Sequence, residues 1–574
     1  MTSVPPPADT DFRRGHRVRV AQRTAAWFDR YATGRPAWRA RNHFYYAEIE
    51  RLARQTIPPG ARVLELGCGV GDLLAAVQPS FGVGLDVSEG MLRQARLRHP
   101  QLQFLRADAH EPPVRGTFDY VICSDLLGHL EDIQLVLEVL HRVCTPQTRI
   151  VITYWNFAWQ VALTAAERLG LKMPQGAQNW LGMADVDNVL LLTDYATLAR
   201  DTRLLLPRPV PVLGPLFNQW LIRLPFLRLM GLTTHWVVQP QQPPRAEALS
   251  CSVIVPCRNE EDNIAACLDR MPDLGTHTEV IFVDGASTDR TRERILEQIE
   301  RYRGRRDIKL IDQVPDPNGP APPEIAPFAA TTGWRPAESA PGSGVLPSGQ
   351  SALSIGRPSP TAHVPADGEV RMLRLGKGDA VRKGFAAAGG DVLFILDSDL
   401  TVPPEELPKF LTPIATRKAG FVNGTRLVYP MEDEAMMFHR LLGNKFFSVL
   451  FTWLLGQTIK DTLCGTKVMR KRDYDRLAAN RGYFGDFDPF GDFDLLFGAA
   501  RLGLRIVEVP VRYRARTSGY SKVRVVEHAP LLFKMSFVGF RRLKLQPWLE
   551  RLRGNPPALG APVAPIPRDA LPAA

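Results

Sequence analysis

Val392-Leu393-Phe394-Ile395-Leu396-Asp397-Ser398-Asp399-Leu400 is an apolar run that ends in two carboxylates one residue apart. A continuous apolar run of this length reads as a strand buried on both faces. Buried strands of that kind belong to α/β sheets, which bind ligands beyond the carboxyl ends of their strands. Asp397 and Asp399 therefore stand where a site is expected. Two hard oxygen donors there suit Mg²⁺ or Mn²⁺ carrying a diphosphate. The plainer alternative is a strand end with solvated acids.

Working outward, the same alternation of strand and helix starts at Cys251-Ser252-Val253-Ile254-Val255-Pro256 and runs to about residue 545. That first strand leads into Pro256-Cys257-Arg258-Asn259-Glu260-Glu261. The next, Glu279 to Val283, ends in Asp284-Gly285-Ala286-Ser287. Gly376-Lys377-Gly378 then offers a cation between flexible glycines, which suits a phosphate. Residues 315–367, rich in Pro, Ala, Gly and Ser, have no sustained period and read as a disordered insertion, with a structured subdomain as the alternative.

A second strand–helix alternation precedes this one, at about 21–238. Arg62-Val63-Leu64-Glu65-Leu66 feeds Gly67-Cys68-Gly69-Val70-Gly71-Asp72 and then a helical run. A dinucleotide fingerprint would place glycine where Asp72 stands, so the loop reads as a compact cradle and not a pyrophosphate grip. Asp86 closes the next strand about nineteen residues after Gly67 and can accept from ribose hydroxyls. Asp108 closes a third strand, and Phe118 to Ser124 supplies a fourth. His129, just beyond, is read either as a general base or as a hydrogen-bonded helix-start residue. Five tryptophans in 155–236 suggest an apolar helical cap.

The whole chain has 574 residues, 45% hydrophobic and 23% charged, with net charge +11. It is long enough for several domains. The basic balance fits phosphorylated substrates or anionic lipid, while no zinc-knuckle spacing or regular aromatic–basic pattern favours nucleic acid. Seven cysteines without a Cys-x-x-Cys pair read as thiols of a reducing compartment. Met1–Thr10 lacks the apolar core of a signal peptide, and Phe446 to Gly456 is too short to span a bilayer. The expected organisation is a mobile start (1–20), a first domain (21–238, core about 40–155, cap 156–236), a linker (239–249), a second domain (250–545) and a disordered tail (555–574).

Glu65-Leu66-Gly67-Cys68-Gly69, Asp86, Asp108-Ala109 and Phe118-Asp119 together resemble the ordered motifs of class I S-adenosylmethionine-dependent methyltransferases. The resemblance implies a Rossmann-like sheet, with S-adenosylmethionine held by Glu65, Gly67, Gly69, Gly71, Asp86 and Asp108. The second half resembles a family 2 glycosyltransferase of GT-A fold, in particular the enzymes that make polyprenyl- or dolichyl-phosphate sugars. Its supporting stretches are Asn423-Gly424-Thr425-Arg426, Arg440 to Asn444, Asp461 to Lys467, and Arg516-Thr517-Ser518-Gly519-Tyr520-Ser521-Lys522. That resemblance implies a nucleotide-sugar donor held by Pro256, Glu260, Asp284, Lys377 and Asp397, and a metal on Asp397 and Asp399. It further implies an acceptor phosphate embraced by Arg426, Arg440, Arg516, Ser521 and Lys522. A hydroxyl acceptor would need a base, for which Asp461, Asp492 and Asp494 are candidates. Asp284-Gly285-Ala286-Ser287 departs from the family's Asp-Asp-Gly-Ser, and Tyr520 stands where many relatives carry Glu.

The expectation is thus an α/β protein with two transferase activities. One moves a sugar to a lipid-phosphate or glycan acceptor with Mg²⁺ or Mn²⁺; the other moves a methyl group from S-adenosylmethionine to an acceptor the residues do not name. The competing readings are a single glycosyltransferase with a scaffolding first domain, and a non-catalytic module that binds a carrier lipid. The expected setting is cytoplasmic, with peripheral contact at the inner face of the plasma membrane through Met436 to Gln457 and Leu531 to Leu545, a core helix being the alternative for the first of these.

Overall fold

The computed structural model describes residues 11–313 apart from 177 and 180, then 376–426, 428, 438–479, 493–512 and 525–552. Strands β1 (Arg62–Leu66), β2 (Phe81–Asp86), β3 (Gln103–Arg106), β4 (Phe118–Ser124), β5 (Cys144–Trp155), β6 (Tyr195–Arg203) and β7 (Thr233–Pro240) form one sheet, in the order β3-β2-β1-β4-β5-β7-β6. β1 to β5 run parallel, and β7 lies antiparallel to both β5 and β6. The strand order reverses between β1 and β4, which opens a crevice beyond their carboxyl ends.

The second sheet contains β8 (Cys251–Cys257), β9 (Thr278–Asp284), β10 (Asp307–Asp312), β11 (Val392–Ile395), β12 (Phe421–Thr425), β13 (Lys467–Arg470) and β14 (Ile506–Pro510), in the order β10-β9-β8-β11-β13-β12-β14. The apolar run Val392 to Leu396 is buried on both faces. Val392, Phe394 and Leu396 enter one core with Val253, Val255 and Phe282, while Leu393 and Ile395 enter another with Ile254, Ile281 and Val283. This is the period-2 alternation of a strand covered on both faces, and full burial of a side chain such as Phe394 contributes roughly 1.5–3 kcal/mol. β11 pairs parallel with β8 and antiparallel with β13, with Ile395 opposite both Ile254 and Lys467. Asp397 therefore emerges beside the segment that leads into β13.

The two sheets are joined by charge. Cations of the second domain meet acids of the first at Lys409–Asp132 (2.8 Å), Lys418–Asp194 (2.8 Å) and Lys460–Asp185 (2.7 Å). Arg512 pairs with Glu131. Asn188 also donates to the backbone carbonyl of Glu508.

Three expectations differ from what is found. The segment expected to be mobile through residue 20 is helical from Asp11, in helix Asp11–Tyr31, whose Arg17 is buried. The expected helical cap contributes two antiparallel strands, β6 and β7, beside its helices, and burial of Trp236 against the sheet explains the pairing. β7 also runs through Gln239-Pro240, into the stretch read as linker. The expected insertion and tail lie outside the described residues. Among the described residues, no helix is long and apolar enough to cross a membrane.

Candidate active sites

In the first domain, β1 leads into a turn whose backbone only glycine adopts easily. Gly67 has φ +68°, and a Cβ there would come within 2.8 Å of the Leu126 side chain. Gly69 has φ +53°, and a Cβ there would meet nothing within 4 Å. Gly67 and Gly69 line a cavity together with Asp86, Asp108, Ala109, Asp125 and His129. Asp86 accepts from the Gly69 and Ser88 amides, each at 2.8 Å. Burial raises its carboxyl above the usual range, and those two amides oppose the rise.

Asp108 is fixed by a histidine. His110 Nδ1 lies 2.5 Å from its carboxylate, while His110 Nε2 accepts from the Asp132 amide at 3.0 Å. Because Nε2 is the acceptor, the Nδ1 proton points at Asp108. Burial would raise the Asp108 pKa, but the His110 ring and amide together with Arg17 hold it below the usual range.

Glu65 and Gly71 hold the cradle from behind. Glu65 is buried and accepts from the Leu74 amide at 3.1 Å, and burial pushes its pKa up to about 8. A Cβ on Gly71 would strike the Phe104 ring at 2.6 Å.

The cavity also holds Asp125, which the sequence reading did not single out, together with His129, which it did. Asp125 (φ +51°) accepts from the Tyr45 hydroxyl at 2.8 Å, and Trp155 Nε1 donates to that hydroxyl at 2.7 Å. Burial pushes the Asp125 pKa up to about 6. His129 lines the same space edge-on to Phe28, and burial pushes its pKa down to about 4, so the ring is neutral near pH 7. Helix Asp11–Tyr31 supplies Arg17, Val20, Ala21, Thr24 and Phe28 to one wall.

In the second domain, the loops after β8 and β9 are stitched together. The Asn259 amide donates to Ser287 Oγ at 3.0 Å, and Asn259 Oδ1 accepts from the Thr288 amide at 2.8 Å. Glu260, which follows Pro256 and Arg258 in this loop, accepts from Asn263 at 2.8 Å, and its amide donates to Thr291 Oγ1 at 2.7 Å. Asp284 ends β9, is buried, and accepts from the Ser287 hydroxyl. The loop that lacks the family's second acid thus uses Ser287 to orient the first.

Lys377 opens helix Lys377–Ala387, and its Nζ lies 2.5 Å from Asp397. A Cβ on Gly465 would fall 1.8 Å from Asp397 Oδ2 and 2.8 Å from Lys377 Nζ, so this pair fills the space a side chain there would need. Burial would raise the Asp397 pKa, but Lys377, Lys467 and Arg426 together hold it below the usual range. Asp399 turns into its own loop and accepts from Thr401 Oγ1 at 2.7 Å.

Arg426 forks onto Asp461 through Nε (2.7 Å) and Nη2 (2.9 Å), with its own amide adding a third bond at 3.0 Å. Asp461 is buried and held below the usual range: burial opposes ionisation and Arg426 outweighs it. A carboxylate so engaged positions Arg426 better than it takes up a proton. Beneath it lies Glu508, an acid within an otherwise apolar strand. It accepts from the Asp461 amide (3.1 Å), the Lys460 amide (2.9 Å) and Asn423 (3.2 Å), and burial pushes its pKa up to about 8. The lone acid in Ile506-Val507-Glu508-Val509-Pro510 was the available signal for it.

Asp494 is buried in the first turn of helix Phe493–Arg501. Asp492, Arg516, Ser521 and Lys522 lie outside the described residues, as does the Arg440 side chain.

Comparisons with known proteins divide at the same boundary as the sheets. A family model described as a methyltransferase domain matches residues 63–147, and one described as glycosyl transferase family 2 matches 252–313 and 369–477. The chain carries a methyltransferase domain followed by a family 2 glycosyltransferase domain. A dolichol-phosphate mannosyltransferase of Pyrococcus furiosus is 24% identical over 282 residues, covering 48% of this chain and 60% of the relative. A ubiquinone biosynthesis O-methyltransferase of Bradyrhizobium diazoefficiens is 26% identical over 172 residues, covering 28% of this chain and 65% of the relative. The chain thus spans less than two thirds of either relative's length. A solved S-adenosylmethionine-dependent methyltransferase of Thermotoga maritima aligns at 14% identity and a TM-score of 0.31, covering 38% of this chain and all of that one.

Proposed function

We propose that the protein is a bifunctional transferase: a metal-dependent inverting glycosyltransferase acting on a nucleotide sugar, joined to an S-adenosylmethionine-dependent methyltransferase. The observation that carries the first activity is the Lys377–Asp397 pair at the carboxyl edge of β11, pressed against Gly465. A cation and an acid placed together there suit a diphosphate and its counter-ion. Asp397 and Asp399 supply the hard oxygen donors that would hold Mg²⁺ or Mn²⁺, whose charge neutralises a departing nucleoside diphosphate. Glu260 and Asp284, on adjacent strand-end loops, are assigned to the base and ribose.

The acceptor is assigned as a polyprenyl phosphate or a glycan. The P. furiosus relative is named for a dolichol-phosphate substrate, and Arg426 is held by Asp461 in a geometry that suits an anionic acceptor. Such an acceptor is already ionised and needs no strong base, in keeping with an Asp461 that stays ionised. On the methyl side, Asp86 and Asp108 face one cavity with the open cradle at Gly69, which fits a nucleoside-bearing methyl donor. Holding donor and acceptor in contact is the main task of that cavity, and Asp125 and His129 orient the acceptor end.

The test is sugar transfer from labelled nucleotide sugars to a polyprenyl phosphate, with Mn²⁺ and with chelator. Transfer should stop in chelator, and Asp399→Asn should lower it by roughly 100-fold or more while the fold persists. Unchanged transfer in chelator, or by the variant, would defeat the metal assignment.

A further inference from the structure

Between β6 and β7 the methyltransferase domain carries a platform of short helical turns, from Leu204 to Leu232. It displays large apolar side chains to solvent: Val212 is 81% exposed, Phe226 74% and Trp220 66%, with Leu216, Leu224 and Leu229 also exposed. Large apolar side chains exposed together on one short segment mark an interaction site.

The platform is held firmly at its base. Asn218 bonds both the amide and the carbonyl of Leu206 at 2.9 Å. Asn156 donates to the Leu229 carbonyl at 2.7 Å, and Trp159 donates to that of Met230 at 2.7 Å. Ile222 is buried beneath them. The exposed side chains are thus presented outward by an anchored framework.

Charge selects the occupant. Residues 204–232 contain Arg208, Arg223 and Arg228 and no Asp or Glu. The Arg223 guanidinium stacks over Trp220 at 5.5 Å, and Arg228 pairs at 3.0 Å with Asp201, outside the segment. Tryptophan and arginine beside protruding aliphatic and phenyl groups match a bilayer surface: apolar side chains enter the acyl boundary, the indole sits at headgroup depth, and the cations meet anionic headgroups. A protein partner of opposite charge would more often be met by a mixed polar rim, which this segment lacks.

We infer that the 204–232 platform docks the methyltransferase domain onto an anionic phospholipid bilayer. Asn156, which holds the platform, directly follows Trp155 of the cavity wall, and Trp159 lies in the turn after it. Docking would therefore bring the methyl-transfer cavity close to membrane-borne acceptors.

The experiment uses the full chain with vesicles of phosphatidylcholine alone, or of phosphatidylcholine mixed with phosphatidylglycerol. Co-sedimentation should favour the mixed vesicles and weaken with salt. The triple variant Val212→Ser/Trp220→Ser/Phe226→Ser should bind at least about tenfold more weakly with an unchanged thermal melt. Brominated lipid should quench a fluorescence component of the wild type that is missing in Trp220→Phe, a readout that stands even if the triple variant fails to fold. Equal binding by wild type and triple variant would overturn the inference. So would an absence of binding to mixed vesicles, quenching unaltered in Trp220→Phe, or a vesicle-free self-association of the wild type that the triple variant loses.

Discussion

Replacing Lys409 with methionine should destabilise the methyltransferase side of the molecule, although Lys409 belongs to the glycosyltransferase domain. Lys409 is 7% exposed and Asp132 9% exposed, and their charged atoms lie 2.8 Å apart. At an effective dielectric constant of about 20, two unit charges at that separation attract by roughly 6 kcal/mol before desolvation is counted. Desolvation cancels much of this for the intact pair, but removing one partner strands the other, at a typical cost of about 3–5 kcal/mol. Lys409 also lies 3.2 Å from Glu406, so the variant leaves two carboxylates facing each other.

For a domain of this size the corresponding fall in Tm is roughly 6–20 °C, read by calorimetry on the full chain. The double variant Lys409→Met/Asp132→Asn should recover at least half of the loss, because it removes both charges and keeps a side-chain oxygen for the Leu135 amide that Asp132 caps at 3.0 Å. The acid limb supplies a second check. Burial would raise the Asp132 pKa, but Lys409 holds it far below the usual range. Its contribution in the wild type is therefore complete above the ordinary Asp pKa of about 3.9 and is lost as pH falls toward the folded value. In Lys409→Met the shift reverses, so the variant's deficit should shrink as pH approaches about 4. A Tm change below about 2 °C, or single-variant deficits that simply add in the double variant, would refute a coupled buried pair.

Glu508→Gln should flatten the pH dependence of stability on the alkaline side. The folded carboxyl titrates near 8, above its unfolded value of about 4.3, so its contribution is complete below that lower value and is lost as pH rises through about 8. Urea titrations from pH 5 to 9 should show the variant gaining on the wild type as pH rises; parallel curves would count against this. Gly69→Val should abolish S-adenosylmethionine binding, because a branched side chain is strained at φ +53° and occupies the open cradle. Calorimetry showing wild-type affinity would remove Gly69 from the proposed donor site.

Much of both sheets was readable in advance because strands buried on both faces are nearly continuous apolar runs with turn residues at their ends. Arg62–Leu66 and Phe118–Ser124 needed nothing beyond this, and Val392–Ile395 falls one residue short of its apolar run. β6 was missed because Tyr195–Arg203 is mostly polar and finds its place only by pairing with β7. The helix from Asp11 was missed for a related reason: Arg17 and Ala25 become buried against the rest of the domain, and a local reading sees only a polar segment. In the sites, residue types marked the acids at strand ends, but partners distant in sequence decide their state. Asp461 reads as a possible base until Arg426 is seen forked onto it, and Asp125, which its local sequence does not mark, acquires its setting from Tyr45 and Trp155.

By itself the amino-acid order determined the two alternating α/β halves, the glycine cradle after β1 and the carboxylates after β11. Hydrophobic period, glycine conformational freedom and the chemistry of single side chains are local properties that a linear text carries. Only the tertiary structure decided that Lys377 faces Asp397 across the space left by Gly465, that Glu508 carries the Asp461 loop, and that cations of one domain meet acids of the other. Those are through-space electrostatic relations, set by strand register and burial, and residues far apart along the chain acquire them only when the sheets assemble.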